Sequence, residues 1–199
     1  MEKLKISCPI IVEGKYDRER VLSVCDATVL TTDGFGIFRK PEKQALLRRL
    51  SEKSRLIVLS DSDGAGSVIR SFIKSNVPSD RLIQLYIPQI EGKEKRKAEA
   101  SKEGFLGVEG MDRGLLYRLL EPFADGGEPK GCTITKAELY AAGLCGRENS
   151  GVRRDAFCDL AGLPHGMTPN ALSAAIGVIM TKDEFCSLAS QLKYSSNIQ

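Results

Sequence analysis

Tryptophan is absent from the 199 residues, and there is one histidine, His165. The six cysteines, Cys8, Cys25, Cys132, Cys145, Cys158 and Cys186, are scattered and form no Cys-x-x-Cys pair. Structural zinc sites repeat Cys and His at short fixed spacings, and secreted disulfide scaffolds are short and cysteine-dense, so both classes are excluded. Reduced thiols and a cytoplasmic location are the expectation. No apolar run approaches a membrane span. The opening MEKLKISCPIIVEG passes from a short apolar run into Glu13 with no small-residue cleavage site, so it does not read as a signal peptide. A helix-opening Gly-x-Gly-x-x-Gly and a Walker pattern are both missing, and no ATP use is expected.

What is present suits a globular protein. Apolar residues make up 42% and charged residues 28%, enough to bury a core. The net charge of +3 permits a nucleic-acid partner without demanding one.

Along the first 124 residues, short apolar runs alternate with helical patterns. KISCPIIVEG, ATVLTT, RLIVLS and RLIQLYIP read as strands. YDRERVLSVC, PEKQALLRRLSEKS and AGSVIRSFIKS read as the helices between them, with DGFGIF as a Gly-containing loop. Strands separated by helices predict a parallel α/β sheet, because parallel neighbours need crossover connections. FLGVEG is expected to be a short last strand and DRGLLYRLLEPF a closing helix. ADGGEPKG, residues 124–131, is the best linker. Residues 131–199 then predict a small all-α domain of four helices, two of them opened by capping boxes, Thr135 with Glu138 and Thr181 with Glu184. His165, in LPHGM, reads as a loop residue with no partner acid.

The chemistry concentrates at two strand ends. Glu13 and Gly14 end the first run, and VLSDSDGAG places Asp61 and Asp63 beyond the third. In an open parallel sheet, ligands bind beyond the carboxyl ends of the strands. If these two strands are neighbours, three carboxylates converge, and like charges held together call for a counter-charge. Oxygen donors without His or Cys favour Mg²⁺ or Mn²⁺. A polar turn is the plainer alternative for DSDG.

IIVEGKYD followed by LSDSDGAG resembles the Toprim domain. EGKYD, SDSDGAGSVIR, LGVEGM, ELYAAGL and the pair Arg153–Arg154 resemble, in order and over almost the whole chain, the ribonuclease M-five family. The resemblance implies a Toprim-like parallel-sheet domain over 1–124 with a small helical substrate- or partner-binding domain over 131–199. It implies a metal-dependent endoribonuclease that hydrolyses a structured ribosomal RNA precursor, the 5S rRNA precursor, with a ribosomal protein as helper. Asp61 and Asp63 would hold Mg²⁺, and Glu13 would act as ligand or general base. Asp17, Gly66, Arg70 and Glu109 would belong to the site region. Three departures stand out. DGFGIF replaces a Gly-Ser-Ala-like loop, no proline lies within the Asp-x-Asp loop, and residues 125–199 hold seven Lys/Arg against eight Asp/Glu.

Other residues have two readings each. Asp17 and Glu109 either join the metal site or serve as a helix start and a surface position. Lys15 and Arg70 flank the acids and could steady a phosphate, or Arg70 could pair on its own helix. Lys95, Arg96 and Lys97 could contact RNA, or form a solvated loop with the acids interleaved among them. None of the five tyrosines is an evident nucleophile, so attack by water is expected. Two alternatives remain: a paralogue cutting another RNA or DNA, and a non-catalytic nucleic-acid-binding or repair scaffold.

Overall fold

The computed structural model describes residues 2–61, 63–92, 104–126 and 132–195. The chain divides into two compact units, Met1–Glu128 and Pro129–Gln199.

The first unit is built on four parallel strands, β1 (Leu4–Val12), β2 (Cys25–Thr31), β3 (Leu56–Ser60) and β4 (Leu82–Tyr86), in the order β2-β1-β3-β4. β1 and β3 are neighbours, with Ile10 opposite Ile57 and Ile11 opposite Val58. All five residues of β3 are buried, as an uninterrupted apolar run inside a parallel sheet requires. The crossovers are α1 (Lys15–Leu22), α2 (Pro41–Lys53) and α3 (Gly64–Asn76). The chain steps one way from β1 to β2 and the other way from β2 to β3 and β4. Right-handed crossovers therefore put α1 on one face and α2 with α3 on the opposite face. Under α2 and α3 a core gathers Ile11, Ile37, Leu47, Val58, Ile69 and Ile73. DGFGIF is a 3₁₀ turn over Gly34–Arg39, which seats Ile37 in this core.

The expected strand at FLGVEG is corrected. Phe105 forms one isolated antiparallel bridge with Glu91, and Val108–Gly110 is a 3₁₀ turn. A strand would have needed the amides of Val108 and Glu109 for a ladder, but two carboxylates take them instead. The helix α4 (Arg113–Leu120) follows, capped by Asp112.

The second unit holds α5 (Lys136–Ala141), α6 (Ser150–Ala161), α7 (Pro169–Ile179) and α8 (Lys182–Ser195). Both capping boxes form: the Glu138 carboxylate accepts the Thr135 amide at 2.8 Å, and Glu184 accepts that of Thr181 at 2.7 Å. Phe157 and Phe185 meet in the core with ring centroids 5.6 Å apart. His165 does have an acid partner, Asp159 at 2.6 Å, six residues earlier on the last turn of α6. Among the described residues no helix is long and apolar enough to cross a membrane, and no disulfide forms.

Candidate active site

Glu13 and Asp61 follow the last residues of β1 and β3, so strand pairing delivers both to one end of the sheet. The Asp61 amide donates to Glu13 Oε1 at 3.2 Å. Asp61 Oδ1 accepts the Val108 amide at 2.8 Å, which draws the 3₁₀ turn over the strand end. Asp17, on the first turn of α1, accepts the Gly14 amide on Oδ2 at 2.9 Å and the Glu109 amide on Oδ1 at 3.1 Å. It is a buried tie between the start of α1 and that same turn. Asp63 is the N-cap of α3 and accepts the Gly66 amide at 2.8 Å, so the turn reading of DSDG describes part of its work. Ser62 lies outside the described residues.

Five carboxylates thus share one end of the sheet. Burial and the neighbouring charge of Asp61 push Glu13 up to about 7, with Asp63 and Asp17 adding to the repulsion. Burial and Asp61 push Asp17 up to about 7 as well, with Glu109 contributing. The donors are all oxygen, which suits a hard cation, but among the described residues no three such side chains close around one. Asp17 spends both oxygens on backbone amides, Asp61 Oδ1 takes the Val108 amide and Asp63 Oδ1 the Gly66 amide.

Space around these acids is set by two glycines. A β-carbon on Gly66 would collide with the Asp61 carbonyl oxygen and stand 2.9 Å from Glu13 Oε1. A β-carbon on Gly107 would strike the Asp61 carboxylate. Gly107 lies within LGVEGM, but its contact with Asp61 is not readable in the sequence, because that partner lies 46 residues away and meets it only through the fold.

The basic residues are placed unevenly. Arg70 is buried, donates from Nη1 to Ser60 Oγ at 2.6 Å and the Asp61 carbonyl at 2.8 Å, and lies 4.9 Å over the Tyr86 ring. It holds the loop that carries Asp61. Lys15 is exposed and 3.8 Å from Glu19. In the helical unit, Arg153 donates to the Ala142 carbonyl and Arg154 to those of Met167 and Leu144. Lys95, Arg96 and Lys97 lie outside the described residues.

A parallel α/β sheet with carboxylates beyond the carboxyl ends of two adjacent central strands defines a protein that works at that edge. No protein-family model matches the chain. It is 30% identical over 158 residues to ribonuclease M5 of Bacillus subtilis, spanning 79% of each chain. It is 28% identical over 176 residues to that of Clostridium botulinum, spanning 88% of this chain and 91% of the other. Over 119 residues it is 34% identical to that of Fusobacterium nucleatum, spanning 60% of this chain and 59% of the relative. The chain belongs to the ribonuclease M5 family.

Proposed function

We propose that this chain is a Mg²⁺-dependent endoribonuclease of the cytoplasm that cuts a structured ribosomal RNA precursor, the 5S rRNA precursor in the first place. One observation carries the reading: in a member of the ribonuclease M5 family, Glu13, Asp17, Asp61, Asp63 and Glu109 repel one another at the carboxyl end of β1 and β3. Glu13, Asp61 and Asp63 would hold Mg²⁺ or Mn²⁺, which when bound neutralises phosphoryl oxygens and makes water a better nucleophile.

The chain's own residues supply the setting. If Glu13 serves as general base instead of ligand, burial and the Asp61 charge, which push it up to about 7, suit it to accept a proton near neutral pH. Arg70 fixes the Asp61 backbone, and Asp17 fixes the turn that bonds the Asp61 side chain. In-line attack by water breaks the bond from phosphorus to the 3′ oxygen and leaves a 5′-phosphate. Lys15, exposed beside Glu13 in sequence, serves the RNA backbone. Lys95, Arg96 and Lys97 take the same role on the strength of sequence alone. Arg153 and Arg154 are committed to carbonyls within the helical unit, which also lacks a positive balance. That favours a protein contact there, and a ribosomal protein that presents the RNA is the partner proposed.

The test is incubation of 5S rRNA precursor with the protein and Mg²⁺, with and without the ribosomal protein, beside Asp61→Asn and Glu13→Gln. Specific cuts that both variants lose are expected. Folded wild-type protein that makes no cut with the helper present overturns the 5S substrate. Cuts in DNA alone would identify a paralogue, and salt-sensitive RNA binding without cleavage a scaffold.

A further inference from the structure

Beside the acidic cluster lies a cleft of about 340 Å³ that the site described above does not use. Its floor is apolar: Ile11, Leu30, Ile37 and Leu47, the part of the core beneath the start of α2. Its rim is cationic. Arg18 comes from α1 on one face of the sheet and Lys43 from α2 on the other, and they straddle β2, the edge strand. Arg18 Nε donates to the Val29 carbonyl at 3.2 Å, and Lys43 Nζ donates to the Thr31 carbonyl at 2.9 Å and to Asp33 at 2.6 Å. These two carbonyls, two residues apart, point out from the same edge of the strand.

The cleft joins the acidic cluster through the backbone. Thr32, in its wall, donates its hydroxyl to the Glu13 carbonyl at 3.3 Å, and Gly34, two residues on, donates its amide to the same oxygen at 3.1 Å. Whatever fills the cleft therefore lies next to the residue whose side chain faces Asp61.

The lining selects its occupant. A divalent cation is repelled by Arg18 and Lys43. A peptide strand would add to the edge of β2, but the two cations cover the carbonyls it would need. A wholly apolar ligand would leave the Arg18 guanidinium without an anion, Lys43 being paired with Asp33. A volume near the small end of binding pockets is too tight for two stacked nucleotides. An unstacked nucleotide meets every requirement. Its base is a flat apolar body for the floor, its edge can take hydrogen bonds from Arg18 and give one to the Thr31 hydroxyl, whose own proton goes to Asp33, and its phosphate matches the Arg18 side of the rim. Among the described residues the Arg18 guanidinium is bonded through Nε alone, which leaves its plane and terminal amines to stack on or bond to a base.

Resting on the nuclease reading above, we infer that the cleft between β2 and the start of α2 is a nucleobase pocket, taking one unstacked nucleotide that flanks the phosphodiester presented to Glu13 and Asp61. The pocket holds the strand by a base instead of by the duplex, and so fixes which phosphate reaches the acids.

The experiment separates this pocket from the activity. The full chain is titrated with each nucleoside 5′-monophosphate and with inorganic phosphate, following backbone amide shifts of residues 29–32 and 43–47. Saturable millimolar shifts confined to these residues are expected with at least one nucleotide and not with phosphate. Leu46→Trp plugs the pocket from its exposed wall and should abolish the shifts, and Arg18→Gln should weaken binding about tenfold. No shift at these residues, or the same shift with phosphate alone, overturns the pocket. So does a Leu46→Trp protein that stays folded and binds as the wild type does. Pocket binding retained in a protein that cleaves no RNA overturns the nuclease reading alone.

Discussion

The acidic end of the sheet and the helical unit handle their charges in opposite ways. In the α/β unit, carboxylates are buried together: Glu13 and Asp17 are both pushed up to about 7 by burial and by Asp61. In the helical unit, two acids each meet a basic partner. Lys182 and the Thr135 cap hold the Glu138 carboxyl down to about 2, and Asp159 meets His165. Arg153 and Arg154 close loop carbonyls. Crowded like charges cost stability, so a fold that keeps them has another use for them, whereas matched pairs need no use beyond the fold. The contrast marks the carboxyl end of β1 and β3 as the working part of the molecule.

Four measurements break or sharpen that contrast. The largest effect is expected from Asp61→Asn. Asp61 would hold the cation that stabilises a transferring phosphoryl group by several kcal/mol, so weakening that hold should lower cleavage about a thousandfold. The same change removes the main charge acting on both Glu13 and Asp17, so the metal-free variant should melt above the wild type at pH 7. Lower activity with a lower melting point would mean that Asp61 serves the fold instead.

Gly66→Ala comes next. Its β-carbon meets the Asp61 carbonyl, which Arg70 holds in place, and overpacking against fixed backbone costs about 1–3 kcal/mol. Urea unfolding should show the midpoint fall, and an unchanged midpoint would show that the loop can give way.

The third is the pH dependence of the metal-free protein. Glu13 and Asp17 ordinarily titrate near 4.5 and 3.8 and reach about 7 when folded. Between those values the folded state binds more protons than the unfolded one, so stability falls as pH rises from about 4.5 to about 7. Each kcal/mol lost lowers Tm by roughly 4 °C for a unit of this size. Mg²⁺ should restore more stability at pH 8 than at pH 5. A melting point that rises across this window would contradict the repulsion.

The smallest effect is expected in the helical unit. Thr135→Ala removes the cap of α5 and should cost about 1 kcal/mol, with cleavage chemistry unchanged. A loss of cleavage from this variant would give the helical unit a part in the site.

The acids were legible because apolar runs that end in Glu-Gly and Asp-Ser-Asp need only one assumption, that β1 and β3 are neighbours, to bring Glu13 and Asp61 together. The capping boxes were legible because their partners stand three residues apart. What the sequence hid depends on contacts between distant segments. FLGVEG looks like a strand until the carboxylates of Asp61 and Asp17 claim its amides. Arg70 looks like a phosphate ligand until burial turns it onto the Ser60 hydroxyl and the Asp61 carbonyl. The cleft rimmed by Arg18 and Lys43 exists only because α1 and α2 lie on opposite faces of one edge strand, which no local pattern records.

The bonds that close the acidic cluster also set an order of events. Glu13 meets Asp61 across 48 positions, Asp61 meets Val108 across 47, and Asp17 meets Glu109 across 92. Contacts at such separations form late, after the chain between them has collapsed. A chain still being synthesised has strands and helices long before it has this cluster, and it gains the cluster only once Glu109 has been added and released. The acidic cluster thus closes later than the strands that carry Glu13 and Asp61, and waits on a residue from the far end of its own unit.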